Sequence, residues 1–464
     1  MAKADSLSGV RKWLDREEWQ ERFDELIGRH LLKPCEEAGI ELDELRDIIG
    51  GNNEANLYGC VFEDMLAAEF EDGRNVVDDY LKRRGWKESV PNKRYMTALR
   101  SSVMSLYEVS DIVRDQSFLA RDLLRGGEPI RVSEKLGTRS LRPWDWIALR
   151  LVKMGARTEM AGGFLPMGRE AGEGLRDGFL ALRQELPAEF RELVLDGRDE
   201  AELGAYEFDT EILRSGAFLF TNVWLDDALQ RVLDPEPPRM VNADGDEIAY
   251  TVVRYPLKEG ADPAALEAGL TATPELRRTS EDHWTWVGTA AQGIGRASGN
   301  ILSLNTTLDD GTVSLGDIRL RADTLELEVN SPQRAQKGQE LLEPVIGPFV
   351  GEPTVDTRAI AESMASRPMD ESELPASGLS PEEEGAIVHQ ALDRHYRGIL
   401  SKPIPALGDM SPREAAKTKE GRELLADWLK YIENSNAGQK PGSAIRSYDT
   451  SWLWEELGVA DLRR

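Results

Sequence analysis

The chain has 464 residues, 40% apolar and 30% charged, which predicts a soluble protein with several buried cores, about three domains by length. Acidic residues outnumber basic ones 84 to 57, and a formal net charge of −27 repels nucleic acid and anionic membrane. Cys35 and Cys60 have neither metal-site nor disulfide spacing, and no apolar run approaches the ~18 residues of a membrane span, so a cytoplasmic location is expected.

Residues 10–115 read as a helical domain. Trp19, Phe23, Leu26, Ile27 and Leu31 fall on one helical stripe, and Leu42, Leu45, Ile48 and Ile49 on a second that stops at Gly50-Gly51. Leu57, Val61, Met65 and Ala68 mark a third helix and Val76, Val77, Tyr80 and Leu81 a fourth. Tyr95, Ala98, Leu99, Ser102, Val103 and Leu106 repeat the period once more. Lys82-Arg83-Arg84-Gly85-Trp86-Lys87 is the densest basic run and reads as a solvated helix end, where cations favour the dipole.

From 116 to 167 the pattern changes to short strands with glycine turns, which predicts a small β-rich, barrel-like domain. Phe118–Leu124, Gly126-Gly127 and Ile130–Val132 form a hairpin signal, and Trp146–Val152 and Thr158–Leu165 flank Gly155. Arg121, Asp122, Arg139, Arg142, Asp145 and Arg150 concentrate charge here, either as surface cross-strand pairs or as a ligand site. Residues 168–234 return to helix, with Phe179, Leu182 and Leu186 on one face, and Pro235-Glu236-Pro237-Pro238 breaks the chain.

Residues 239–358 read as an α+β domain. A hairpin is predicted from Met240-Val241-Asn242 through Asp244-Gly245-Asp246 to Ile248–Tyr255, then a helix over Pro263–Leu270 and a strand at Trp284–Val287. In a second hairpin, a turn at Ala322-Asp323 sets Ile318 opposite Leu327 and Arg319 opposite Glu326, apolar on one face and charged on the other. Ser331-Pro332 then caps a helix to about Val345. Residues 367–380 have the composition of a flexible linker, and 381–464 form a helical terminal module. Its first helix is expected to bury Val388, Ala391, Leu392, His395 and Ile399, and its last must hide Trp452 and Trp454.

The module turns on Pro403-Ile404-Pro405-Ala406-Leu407-Gly408-Asp409-Met410-Ser411-Pro412-Arg413-Glu414. The prolines extend the chain, Leu407 can pin it to a core, Gly408-Asp409 permits a turn, and Ser411, Pro412 and Glu414 spell a capping box. Together with Arg394-His395-Tyr396-Arg397, Lys402 and Thr418-Lys419-Glu420-Gly421-Arg422, this makes residues 388–432 resemble the toxin-binding domain of MbcA/ParS/Xre antitoxins. The resemblance implies a protein partner, a RES-type toxin that degrades NAD, with Pro403, Pro405, Leu407, Ser411, Pro412 and Arg413 as candidate contacts; Trp452 and Trp454 are added because tryptophans concentrate binding energy when they dock. The middle and terminal segments together are similar to large uncharacterised bacterial proteins carrying that module.

No catalytic constellation is legible. His389 and His395 are six residues apart and point about 240° apart on a helix, so they cannot chelate a metal together. Gly293-Ile294-Gly295-Arg296-Ala297-Ser298-Gly299 misses the dinucleotide-loop spacing by one residue. No phosphate loop, nucleophile elbow or zinc-helix motif occurs, so no cofactor, metal or catalytic residue is assigned. The expectation is therefore an α+β multi-domain interaction protein, non-enzymatic, whose terminal helices bind a protein, with its oligomeric state open. The competing readings are an enzyme or small-molecule sensor with a pocket between the β-rich and α+β domains, and acidic mimicry of nucleic acid.

Overall fold

The computed structural model describes residues 7–195, 197–198, 200–234, 239–242, 244–288, 301–303, 308, 312–359 and 380–463. The glycine run 293–299 and nearly all of the linker 367–380 lie outside these residues. The fold is mixed α+β, and the chain divides into two compact units. One comprises Met1–Glu236, Leu429–Thr450 and Asp461–Arg464, the other Pro237–Trp428 and Ser451–Ala460. Among the described residues no helix is long and apolar enough to cross a membrane, and no group of His, Cys, Asp and Glu is placed to hold a metal.

The first unit opens with α1 (Ser8–Leu14), α2 (Glu17–Ile27), α3 (Lys33–Ala38), α4 (Leu45–Ile49), α5 (Gly51–Ala67), α6 (Val76–Arg84) and α7 (Val90–Arg100). The expected stripes are the core: Trp19, Leu31, Leu57, Val61, Met65, Val76 and Val77 are fully buried. The stripe through Leu106 needs correction. Helix α7 stops at Arg100, where the Ser101 N–H donates to Thr97 O, and strand β1 (Met104–Val113) already contains Leu106. A four-residue spacing such as Ser102 to Leu106 satisfies the helical period and the even period of a strand alike, so periodicity could not separate them.

Strands β1, β2 (Ser117–Asp122), β3 (Ile130–Ser133), β4 (Trp146–Met154) and β5 (Arg157–Met167) close into a barrel in the order β1-β2-β3-β5-β4. Only β3 and β5 pair in parallel. It is a small closed barrel of the class that includes OB folds, and such a fold carries no function by itself. Alternation sorts its side chains. Tyr107, Val109, Phe118, Ala120, Val132, Ile147, Leu149 and Met160 form a cluster of their own, whereas Leu106, Trp146, Ala148, Val152 and Leu165 join the core of the helices. Helices α8 (Arg169–Gln184), α9 (Ala188–Leu195), α10 (Glu200–Leu203), α11 (Ala205–Ser215) and α12 (Ala217–Leu233) follow, and Leu182, expected on the buried face, is 37% exposed.

Two features hold the helices to the barrel. Gly163 of β5 lies so close to α5 that a Cβ there would fall 2.6 Å from the Cys60 backbone nitrogen, and its N–H donates to the buried Glu63 carboxylate at 2.7 Å. Beside it runs a buried polar chain. Arg150 of β4 donates to Ser102 O at 2.6 Å and to Asp64 of α5 at 2.5 Å. The other Asp64 oxygen meets His30 Nε2 at 3.1 Å, and His30 Nδ1 meets Thr221 of α12 at 2.8 Å. His30 sits in a π-helical turn, Gly28–Leu32, whose carbonyls at Arg29 and His30 accept from Asn222. Burial pushes the Asp64 carboxyl up, but the His30 hydrogen bond and the Arg150 charge outweigh it and hold it below the usual range. Cys35 and Cys60 are buried thiols with pKa raised by burial, Cys35 to about 11, so both pack as small apolar groups.

The second unit contains β6 (Arg239–Val241), β7 (Ala249–Pro256), α13 (Pro263–Ala272), β8 (Leu276–Ser280), β9 (His283–Gly288), β10 (Ile301–Ser303), β11 (Val313–Leu320), β12 (Thr324–Val329), α14 (Pro332–Ile346) and β13 (Thr354–Ala359). Six strands make an antiparallel sheet in the order β13-β7-β12-β11-β9-β8. Leu266 and Leu270 of α13 and Leu342 and Ile346 of α14 share a core with Val253, Trp284, Ile318, Leu325 and Leu327 of the sheet. The predicted register holds, Ile318 opposite Leu327 and Arg319 opposite Glu326. Glu326 itself bonds Arg254 of the next strand at 3.0 Å, while Arg319 reaches Glu328. The hairpin expected at 240–255 is present but short. Around the single antiparallel bridge Val241–Glu247, Ile248 N donates to Met240 O at 2.8 Å and Asn242 N to Asp246 O at 2.9 Å, with the Asn242 side chain accepting from Asp244 N and Asp246 N, while β6 also pairs in parallel with β10.

Removing Asp64 leaves Arg150 buried without its counter-charge. Asp64→Ala is expected to cost about 3–5 kcal/mol of unfolding free energy in urea. Because its folded pKa is depressed, Asp64 contributes stability above its unfolded pKa that is lost as pH falls through the folded one. Wild type should therefore lose stability towards acid more steeply than Asp64→Asn, and parallel pH profiles would contradict this assignment.

Candidate interaction surface of the terminal helices

The terminal helices are α15 (Pro381–Ile399), α16 (Pro412–Ala415), α17 (Lys419–Ala437) and α18 (Ser451–Glu456). The capping box predicted at Ser411 is present, and a second stands at Ser380. The Ser380 hydroxyl accepts from Glu383 N and the Glu383 carboxylate from Ser380 N, and Ser411 and Glu414 repeat the exchange at 3.3 and 2.9 Å. The backbone N–H and the hydroxyl of Ser411 hold the Glu414 carboxyl below its ordinary pKa.

Between α15 and α16 the corner closes on itself. Ile404 N donates to Met410 O at 3.0 Å and Leu407 N to Ile404 O at 2.8 Å, with Pro405–Leu407 as a single 3-10 turn. Gly408 and Asp409 both take positive φ, 65° and 60°, the left-handed pair that glycine and aspartate tolerate best. Arg413 N donates to Leu400 O, so α16 starts against the end of α15.

The candidate residues separate by exposure. Leu407, Ser411, Pro412 and Trp454 are buried, Pro403 and Trp452 half-buried, and Arg413 exposed. Arg413 bonds Glu456 of α18 at 2.6 Å, Arg422 donates to Gly458 O at 2.8 Å, and the Arg397 guanidinium lies 4.5 Å from the Trp452 ring centre. Trp454, at 1% exposure, therefore serves the protein's own interior, and of the two tryptophans only Trp452 offers surface. The expected face of α15 is also corrected. It is rotated by about one residue, so that Tyr396 is buried and Val388, Leu392 and Ile399 half-buried while Ala391 and His395 face solvent. A tyrosine hides more surface than an alanine, so burial follows the larger side chain on neighbouring stripes. Large apolar side chains stay exposed on these helices: Ile387 at 53%, and Leu424 and Tyr431, seven residues apart on one face of α17, at 36% and 54%.

Within the first unit, the segment from Leu429 onwards is fastened to the barrel. Lys430 reaches Glu108 of β1 at 2.5 Å, and both side chains are almost fully buried. The same ammonium lies 4.7 Å from the Trp144 ring, whose indole N–H donates to Glu433 at 2.6 Å. Asn434 donates to Pro143 O and to Asp145, each at 2.8 Å. Trp144 holds φ at +66°, a strained value for an aromatic residue, with its N–H on Val109 O. Of these residues, sequence reasoning singled out only Asp145. The available signal was a charge inside an apolar run, Leu106-Tyr107-Glu108-Val109 and Trp428-Leu429-Lys430-Tyr431, which in a buried strand or helix demands a partner.

Residues 52–175 match a family of unknown function, DUF7986. That stretch runs from α5 through the whole barrel into α8 and includes Asp64, Arg150 and Gly163. No antitoxin domain is matched over 388–432, and no curated protein matches the chain.

The Lys430–Glu108 pair sets a sharp test of this docking. Lys430→Ala should lower stability by about 3–5 kcal/mol because Glu108 stays buried and uncompensated. The double variant Lys430→Met/Glu108→Leu should recover most of that loss in urea titrations, and an additive double variant would mean the two charges do not interact.

Proposed function

We propose that this is an interaction protein whose terminal helices bind a protein partner. The observation that carries the reading is the set Ile387, Leu424 and Tyr431, large apolar side chains left exposed on the terminal helices. Exposed apolar residues spaced along a helix face are the usual anchors of helix-in-groove recognition. Half-buried Trp452, stacked under Arg397, adds an aromatic edge of the kind that concentrates binding energy. The motif resemblance of 388–432 supplies the partner class to try first, a RES-type toxin that degrades NAD.

The experiment is a tagged pull-down with mass spectrometry, comparing the full chain with Ile387→Asp/Leu424→Asp/Tyr431→Asp. Surface substitutions are the better comparison because cutting at residue 379 would also remove Lys430 and unsettle the barrel. One partner should be lost from the triple variant while its melting temperature stays within a few degrees of wild type. NAD consumption by that partner should fall on adding wild type and not on adding the variant. Identical eluates from the two proteins would overturn the reading.

A further inference from the structure

The basic run at the end of α6 does something that a solvated helix end does not explain. Cations in the last turn of a helix are favourable on dipole grounds alone, which accounts for Lys82, Arg83 and Arg84. It does not account for Trp86, which stands on the short 3-10 turn Gly85–Lys87 with 75% of its surface exposed, beside Val90 at 70%. The turn is bonded on both sides. Buried Tyr80 of α6 donates to Glu88, and Ser89 caps α7 by accepting from Asn92 N. A turn that holds a tryptophan in water forgoes the burial that such a side chain normally gains.

The charges around it are equally unusual for so acidic a chain. Arg83 is paired with Asp79 at 2.9 Å, but Lys82, Arg84, Lys87 and Lys93 have no ion-pair partner among the described residues. The Lys87 ammonium lies 5.2 Å from the Trp86 ring, and the Lys93 stem runs beside Gly85. Glu88, beside the turn, is already engaged: Tyr80 donates to one oxygen at 2.5 Å and Asn92 to the other at 2.9 Å. Elsewhere in these helices Arg22 is spent on Asp72, Arg74 on Glu18 and Arg100 on Glu69 and Asp78.

We infer that the Trp86 turn is a docking site for an acidic polypeptide segment, whose carboxylates meet Lys82, Arg84, Lys87 and Lys93 and whose apolar side chains cover Trp86 and Val90. A polypeptide fits better than nucleic acid because Val90 and the exposed Pro91 offer aliphatic contact that a phosphate backbone does not use. A short segment responds chiefly to charges within about 8 Å at physiological salt, which leaves the net charge of −27 largely screened.

The test uses the full chain and three labelled probes: a short peptide alternating Glu and Asp with Leu, an oligothymidylate of similar charge, and phosphatidylserine vesicles. The peptide should bind saturably, weaken with salt, and lose about tenfold or more in affinity on Trp86→Ala and on Lys82→Glu/Arg84→Glu/Lys87→Glu. These positions are exposed, so unfolding does not confuse the readout, and an unchanged melting temperature confirms it. No peptide binding by wild type, or equal binding by Trp86→Ala, overturns the inference. So does tighter, Trp86-dependent binding of the oligonucleotide or the vesicles, which would identify a different partner class.

Discussion

The constraint on which the first unit depends is a charge that cannot reach water. Arg150 projects from a barrel strand into a helical core, and it is tolerable there only because Asp64 and the Ser102 carbonyl meet it. Asp64 in turn fixes His30, and His30 fixes Thr221, so one ionic contact orders a strand, a helix, a π-helical turn and a later helix. Hydrophobic burial would allow these elements to slide against each other; directional bonds of 2.5 to 3.1 Å do not. Gly163 adds the steric counterpart, since the close approach of β5 to α5 leaves no room for a side chain. The family match spans this junction from both sides.

The α+β unit buries an arginine of its own, Arg334 of α14, which meets Asp244 at 2.9 Å and the Asn330 side chain at 3.2 Å. Its sheet carries apolar residues on the face under α13 and α14 and a lattice of paired charges on the other, with Arg254 between Glu326 and Asp356. That division follows from the alternation of β12 and of β11 from Gly316 to Arg319, which is why the register and face of this hairpin could be read from the sequence. Barrel, hairpins and capping boxes were legible for the same reason, since each is local in sequence and each has a turn or cap residue that marks it. The end of α7 was not, because its spacing suits helix and strand alike. Nor was the true face of α15, where stripes one residue apart compete and only the tertiary setting chooses.

The interaction surfaces were legible only in part. The corner at 403–414 announced itself through prolines and a cap, yet two of its distinctive residues, Leu407 and Pro412, turned out to be inside the protein, as did Trp454 of α18. What faces outward is less conspicuous in sequence: an isoleucine, a leucine and a tyrosine on helices, and one tryptophan on a basic turn. Exposure is a property of the finished fold, and a sequence pattern that predicts amphipathicity says which stripe is apolar, not whether anything covers it. The contacts of Lys430 were hidden for a simpler reason. Their partners are hundreds of residues away, beyond the reach of any local pattern.

That distance has a consequence for how the protein comes into being. Glu108 and Lys430 are 322 positions apart, and the barrel that holds one is translated long before the helix that brings the other. At ordinary elongation rates the nascent barrel waits on the order of half a minute for its counter-charge. During that interval Glu108 stays hydrated, and Trp144, its N–H already on Val109 O, lacks the Lys430 and Glu433 contacts to its ring. The barrel is thus completed long after its strands are made, and the segment from Leu429 acts as its latch.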